Sequence, residues 1–219
     1  KFVPQTTIEE IQEFESRGFA ERRVTKVVAE FYKVKVSYGT DGQIDTHYYP
    51  YDNGAAYKVR TLPKTFHWVG KSQGLFGKEL FPAGGKRVIV CEGEIDTMSV
   101  AVASYDKYDK FYPVVGLSSS AMAKHLLADR EWLRSFREVV LCFDMDKAGN
   151  DAVNEAVKII GADKCKIVTL PLNDANEVLK TEGGSHALMQ CIFEAKAWAP
   201  AGIISKEDIW KQMQERNRI

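Results

Sequence analysis

The chain has 219 residues, 45% of them apolar, and its 30 basic residues balance its 30 acidic ones. That is enough apolar material to bury an ordinary core in one large or two small domains. No apolar run approaches the roughly eighteen residues that a membrane helix needs, and zero net charge leaves only local charge distribution as evidence for a nucleic-acid partner.

The expectation is a soluble, cytoplasmic chain. It begins Lys1, Phe2, Val3, Pro4, without Met or a signal-like segment, and ends in Arg216, Asn217, Arg218 and Ile219 just after a helical pattern, as a piece of a longer protein would. Cys91, Cys142, Cys165 and Cys191 are scattered, with no C-x-x-C pair and no His at ligand spacing. They are expected to be reduced and mostly buried thiols, and no zinc site is expected in this segment.

In chain order, Thr6 or Thr7 can cap a helix near 7–16, with Glu9 or Glu10 at capping-box distance and Ile8, Ile11 and Phe14 as its apolar stripe. A second helical pattern runs from Arg22 to Phe31. Alternation at Val34, Val36 and Tyr38, a turn at Thr40, Asp41 and Gly42, a returning strand Ile44 to Tyr49 ending at Pro50, and a third strand Ala55 to Thr61 predict an antiparallel meander. Residues 1–85 therefore read as a small mixed α+β unit.

From Lys86 strands and helices alternate: a strand Arg87 to Cys91, a helix to Ser104, a strand Phe111 to Leu117, a helix Ala121 to Ala128. A strand Glu138 to Phe143, a helix Ala148 to Ile160, a strand Lys166 to Leu172 and a mostly helical stretch 175–196 follow. Right-handed crossovers then give a parallel sheet with flanking helices, an α/β fold over 86–199. Residues 200–219 read as a hinge from Pro200 to Gly202 and a helix capped by Ser205, with Asp208 near its start and Ile209 and Met213 on one face.

Two clusters carry chemistry. Between Asn53 and Arg87 stand Lys58, Arg60, Lys64, Lys71, Lys78, Lys86 and Arg87 against a single carboxylate, Glu79, with Tyr57, Phe66, His67, Trp68 and Phe76 interleaved. Such a stretch suits phosphate neutralisation with base stacking, or is a solvated face. Acids then cluster at three strand ends: Glu92, Glu94 and Asp96 after the first, Asp144 and Asp146 after the third, Asp174 and Glu177 after the fourth. Parallel sheets bind ligands beyond these ends. Asp144 and Asp146, two apart, can share a side, and Gly93 lets the chain turn with Glu92 at the crevice. Crowded carboxylates without His or Cys favour a hard cation such as Mg²⁺ or Mn²⁺ and metal-assisted phosphoryl transfer. Glu94 is expected at the helix N-terminus or in solvent, while Asp174 and Glu177 remain open between ligation, support and capping.

Glu92-Gly93-Glu94-Ile95-Asp96 followed by Asp144-Met145-Asp146-Lys147-Ala148-Gly149 resembles the E…DxD signature of Toprim domains. Lys58-Val59-Arg60 with Lys64, Leu75-Phe76-Gly77-Lys78 and Leu170-Pro171 through Glu177 resemble bacteriophage primase-helicases, relatives of Twinkle. The resemblance covers most of the chain from about Tyr57 onward. It implies a Toprim (Rossmann-like) fold and a DNA primase that joins ribonucleoside triphosphates on a single-stranded DNA template. Glu92, Asp144 and Asp146 would be metal ligands, Asp96 and Asp174 their support, and Lys58, Arg60, Lys64, Lys71 and Lys124 nucleotide or nucleic-acid contacts. It also implies zinc-binding and helicase domains elsewhere in a parent protein, since no P-loop or cysteine quartet occurs here, a replicative DNA polymerase as partner, and the cytoplasm of an infected bacterium as location. The relatives' glycine-rich loop and paired lysines are replaced by Ser118-Ser119-Ser120 and a single Lys124 before His125. A Toprim nuclease and a non-catalytic single-stranded DNA-binding module stay open as alternatives; a type IA topoisomerase does not, because the chain has no room for its tyrosine domain.

Overall fold

The computed structural model describes residues 6–72, 74–118, 122–200 and 214. Helix α1 (Ile8–Glu13) starts at the expected capping box: the Thr7 hydroxyl accepts from the Glu10 amide at 3.2 Å and the Glu10 carboxylate accepts from the Thr7 amide at 2.7 Å. The helical pattern expected from Arg22 splits. A 3₁₀ turn (Ala20–Arg22) ends where Arg23 takes φ 52°, and α2 (Lys26–Phe31) restarts under a Thr25 cap.

The strands β1 (Lys35–Tyr38), β2 (Ile44–Tyr51), β3 (Ala56–Thr61) and β4 (Thr65–Val69) form an antiparallel sheet in that order. β2 does not stop at Pro50 as expected. β1 pairs with it only as far as Tyr48, so Pro50 lies where one neighbour is already gone and its missing N–H is tolerated. β4 falls in the stretch read as basic and aromatic rather than as a strand. Lys58 and Arg60 pair with Trp68 and Phe66. These four side chains thus share one face, and α1 packs on the other against Tyr48, Tyr57 and Val59.

The second sheet has the order β6-β5-β7-β8-β9, with β5 (Gly85–Cys91), β6 (Val114–Gly116), β7 (Phe136–Cys142) and β8 (Cys165–Ile167) parallel and the short edge strand β9 (Lys196–Ala197) antiparallel. Between them run α3 (Glu94–Tyr108), α4 (Met122–Ala128), α5 (Arg130–Arg134), α6 (Lys147–Ile160), α7 (Ala175–Leu179) and α8 (Gly184–Phe193). The second and fourth expected strands shrink, β6 and β8 being each 3 residues long, and the helical stretch 175–196 divides at Gly183, whose φ is 67°. α5 and β9 carry no periodicity long enough to announce them.

Alternate residues of β5 and β7 enter opposite layers. Ile89, Cys91, Val140 and Cys142 pack with α3, α7 and α8, while Val88, Val90, Val139 and Leu141 pack with α4, α5 and α6. The first layer also takes in Phe19, Tyr32, Tyr49, Tyr51 and Phe76, so the small sheet docks on the α3 side through one shared apolar cluster. Cys91, Cys142 and Cys165 are buried as expected and Cys191 partly so; all four are free. Among the described residues no helix is long and apolar enough to cross a membrane. Ser119, Ser120, the start of the helix expected at Ala121, and the expected hinge end and helix from 201 to 219, Gln214 apart, lie outside the described residues.

Candidate active site

β5 and β7 are neighbours in register, Cys91 opposite Cys142, so the segments that leave their carboxyl ends emerge side by side. Glu92 leaves β5 and its Oε2 accepts from the Asp144 backbone N–H at 3.2 Å. Asp146 caps α6, its Oδ1 accepting from the Gly149 amide at 2.8 Å. This close approach requires glycine, because a Cβ at 149 would fall on the Asp144 carbonyl. Met145 points toward the segment that follows β8, its sulfur meeting the Leu170 amide at 3.3 Å. From the first turn of α3, Asp96 Oδ1 accepts from the Asn176 amide at 3.0 Å, and Asp174 caps α7 through the Glu177 amide at 2.7 Å.

These carboxylates feel one another. Burial, then the charge of Asp174, pushes Asp96 up to about 7, with Asp144 and Glu92 adding to the rise and the Asn176 amide opposing it. Burial, then Glu92, Asp174, Asp146 and Glu177, pushes Asp144 up to about 7 as well. Glu92 is raised by burial and by Asp146, against the stabilising Asp144 amide. Such mutual elevation is relieved when a cation sits among the group, and an all-oxygen donor set suits a hard divalent ion.

The side chains do not yet converge. Among the described residues no group of three His, Cys, Asp or Glu side chains is placed to hold a metal ion. The reason is visible in the bonds: Glu92, Asp146, Asp96 and Asp174 each turn an oxygen onto a backbone N–H, separating charges that would otherwise repel.

The basic residues divide. Lys64, Lys71 and Lys124 are exposed, and Arg60 is partly so, its guanidinium 5.7 Å from the centroid of the Phe66 ring. Lys58 is not on the surface. It is 6% exposed, and its ammonium bonds both oxygens of Glu94, also 6% exposed, at 2.9 and 3.1 Å. Lys58 is therefore not an exposed side chain, and Glu94 stands at the helix N-terminus as expected, but buried there rather than in solvent. Glu94 lies one turn before Thr97 and Met98 and two before Ala101, all buried, a helical spacing that marks it as inward-facing. Tyr51, which donates to Glu94 at 2.5 Å, stands in no motif, and Asn176, which donates to Asp96, lies within the Leu170 to Glu177 stretch without having been given a role there.

A family model described as Toprim-like matches residues 89–179. The DNA helicase/primase of Enterobacteria phage T3 is 38% identical over 162 residues, covering 72% of this chain and 28% of that protein, so the chain spans little more than a quarter of its relative. The crystal structure of the primase fragment of the bacteriophage T7 primase-helicase matches with TM-score 0.70 at 34% identity, covering 81% of this chain and 74% of that one. A chain in the structure of bacteriophage T7 lagging-strand DNA polymerase interacting with primase domains of two gp4 subunits, bound to an RNA/DNA hybrid and dTTP, matches with TM-score 0.72 at 34% identity, covering 84% of this chain and 94% of that one. With acid clusters at the ends of β5, β7 and β8 on a Toprim sheet, and this identity over most of two solved primase chains, the protein belongs to the family of Toprim-containing primase domains of bacteriophage primase-helicases.

Proposed function

We propose that this chain is the catalytic domain of a DNA primase, which makes short RNA primers from ribonucleoside triphosphates on single-stranded DNA. The observation that carries the reading is the gathering of acids from neighbouring strand ends, where the Asp144 N–H donates to Glu92 Oε2 at 3.2 Å and the Asn176 N–H to Asp96 Oδ1 at 3.0 Å, in a chain 34% identical to a solved primase fragment. Toprim primases use a divalent cation, and we assign it as Mg²⁺, with Mn²⁺ as a substitute, held by Glu92, Asp144 and Asp146. When bound it would offset negative charge on the reacting phosphates. Asp96 and Asp174 orient this set from α3 and the start of α7. Lys64, Lys71 and Lys124 offer exposed charge to nucleotide or nucleic-acid phosphates, with Arg60 beside the aromatic face of Phe66.

We divide the chain into a basic unit at 1–85, the Toprim unit at 86–199 and a connecting segment at 200–219. The T7 neighbour, bound to an RNA/DNA hybrid and interacting with a DNA polymerase, supports a nucleic-acid template and a replicative polymerase as partners. Zinc-binding and helicase domains of a parent protein, and the cytoplasm of an infected bacterium, complete the reading.

The test supplies an oligonucleotide template carrying an annealed RNA primer, ribonucleoside triphosphates and Mg²⁺, and measures pyrophosphate release and primer length. Template-dependent extension that EDTA abolishes is expected. Strand cleavage without extension would instead make the protein a Toprim nuclease, and binding with neither reaction would make it a non-catalytic module.

A further inference from the structure

We infer that Asn176 is a positioning residue: its buried side-chain amide locks α7 to two distant segments so that its own backbone N–H holds the Asp96 carboxylate. The inference rests on the metal-dependent reading above.

α7 has 5 residues, too few to be stable as a helix by itself. Its place must come from tertiary bonds. Asn176, second in the helix and 2% exposed, supplies them. Its Nδ2 donates to the Arg22 carbonyl at 2.8 Å and to Ser99 Oγ at 2.9 Å, and its Oδ1 accepts from Arg22 Nη1 at 3.3 Å. Both amide hydrogens and the carbonyl are therefore used, and no other side chain of this size offers two donors and an acceptor.

The backbone N–H of Asn176 is one of the first-turn amides that no helical carbonyl can satisfy. It donates to Asp96 Oδ1 at 3.0 Å. Asp96 and Ser99 lie one turn apart on α3, so Asn176 grips a single helix face at two points, through its side chain and its backbone. The far end of α7 is fixed by the next residue of the same N-terminal turn: Arg23 Nη1 donates to the carbonyls of Leu179 at 3.3 Å and Thr181 at 2.7 Å. Asp174 caps this same helix. One amide thus sets where two acids of the crevice stand, and it ties the turn at Arg22 and Arg23 to them.

The experiment measures Mn²⁺ uptake by electron paramagnetic resonance on the whole chain, beside the Mg²⁺ dependence of primer extension. Asn176→Asp keeps the shape but cannot donate to the Arg22 carbonyl. As a partner known only through second contacts, it should weaken Mn²⁺ binding about tenfold or more, and raise the Mg²⁺ needed for half-maximal extension by a similar factor. The nucleotide KM at saturating Mg²⁺ should stay unchanged, which a loosened fold would not give. Should Asn176→Asp fail to melt cooperatively, the double variant Ser99→Ala with Arg22→Ala, which removes two of its partners' side chains, is expected to shift both metal readouts in the same direction. Folded variants that take up Mn²⁺ as tightly as the wild type would overturn the positioning role alone. A wild-type chain that takes up no Mn²⁺ would overturn the metal reading, and this inference with it.

Discussion

The Lys58 ammonium lies 2.9 Å from Glu94 Oε1, inside the protein, and the Tyr51 hydroxyl meets the same oxygen at 2.5 Å. β3 is thereby fastened to the first residue of α3, two residues from Glu92. Removing one partner of such a pair leaves a charge buried without compensation, which costs about 3–5 kcal/mol. Lys58→Ala is therefore expected to unfold at markedly lower denaturant, and the double variant Lys58→Met with Glu94→Leu to recover much of that loss. A Lys58→Ala protein within about half a kcal/mol of the wild type would show that the pair is open to solvent.

Lys64 makes the contrast. It is exposed at the turn between β3 and β4, so Lys64→Ala should shift stability by no more than about half a kcal/mol. Primer extension should fall severalfold, and the salt dependence of template binding should lose about one phosphate contact. Normal extension with an unchanged salt slope would return Lys64 to the solvated face.

How legible was this in the sequence? The strands β5 and β7 and the acids beyond them were, because buried parallel strands are apolar runs and the crevice lies at their carboxyl ends. Arg22, Asn176 and Ser99 were not. Their bonds join residues 154 and 77 positions apart, and no local period records such a contact. The burial of Lys58 was missed for a related reason. Alternation in β3 places it on the face of Ala56 and Arg60, but only the docking of α3 decides that this face is covered at Lys58 and partly open at Arg60. The Asp144–Asp146 spacing told which acids gather, while the backbone amides that hold them apart follow from loops whose course no pattern specifies.

Gly149 offers a test of that loop. A Cβ there would strike the Asp144 carbonyl, so Gly149→Ala must displace either the first turn of α6 or the strand end that carries Asp144. Relieving such overlap costs about 1–3 kcal/mol. The variant should melt lower and, because the Asp146 cap on this same amide is disturbed, bind Mn²⁺ more weakly. A protein with wild-type melting and metal uptake would mean that the two segments are not in contact.

The last expectation concerns Asp144 and pH. Its folded pKa of about 7 lies above the ordinary value of about 3.9, so between those values the folded state holds more protons than the unfolded one. Stability from this group is then complete below about pH 4 and is lost as pH rises through 7. Asp96, also near 7, acts in the same sense. His47, which burial lowers to about 4, acts oppositely because it must stay neutral to remain folded. Asp144→Asn isolates the first effect. Without metal, the variant should be as stable as the wild type near pH 4 and at least as stable near pH 8, where the wild type carries the crowded charge. Mg²⁺ should stabilise the wild type and do less for the variant. Extension should drop by about a hundredfold or more, as when a group that stabilises transition-state charge is removed. Paired melting curves at the two pH values, with EDTA and with Mg²⁺, decide the matter. A variant that melts well below the wild type in EDTA at pH 8, yet still extends primers, would make Asp144 a residue that holds the fold rather than one that serves the reaction.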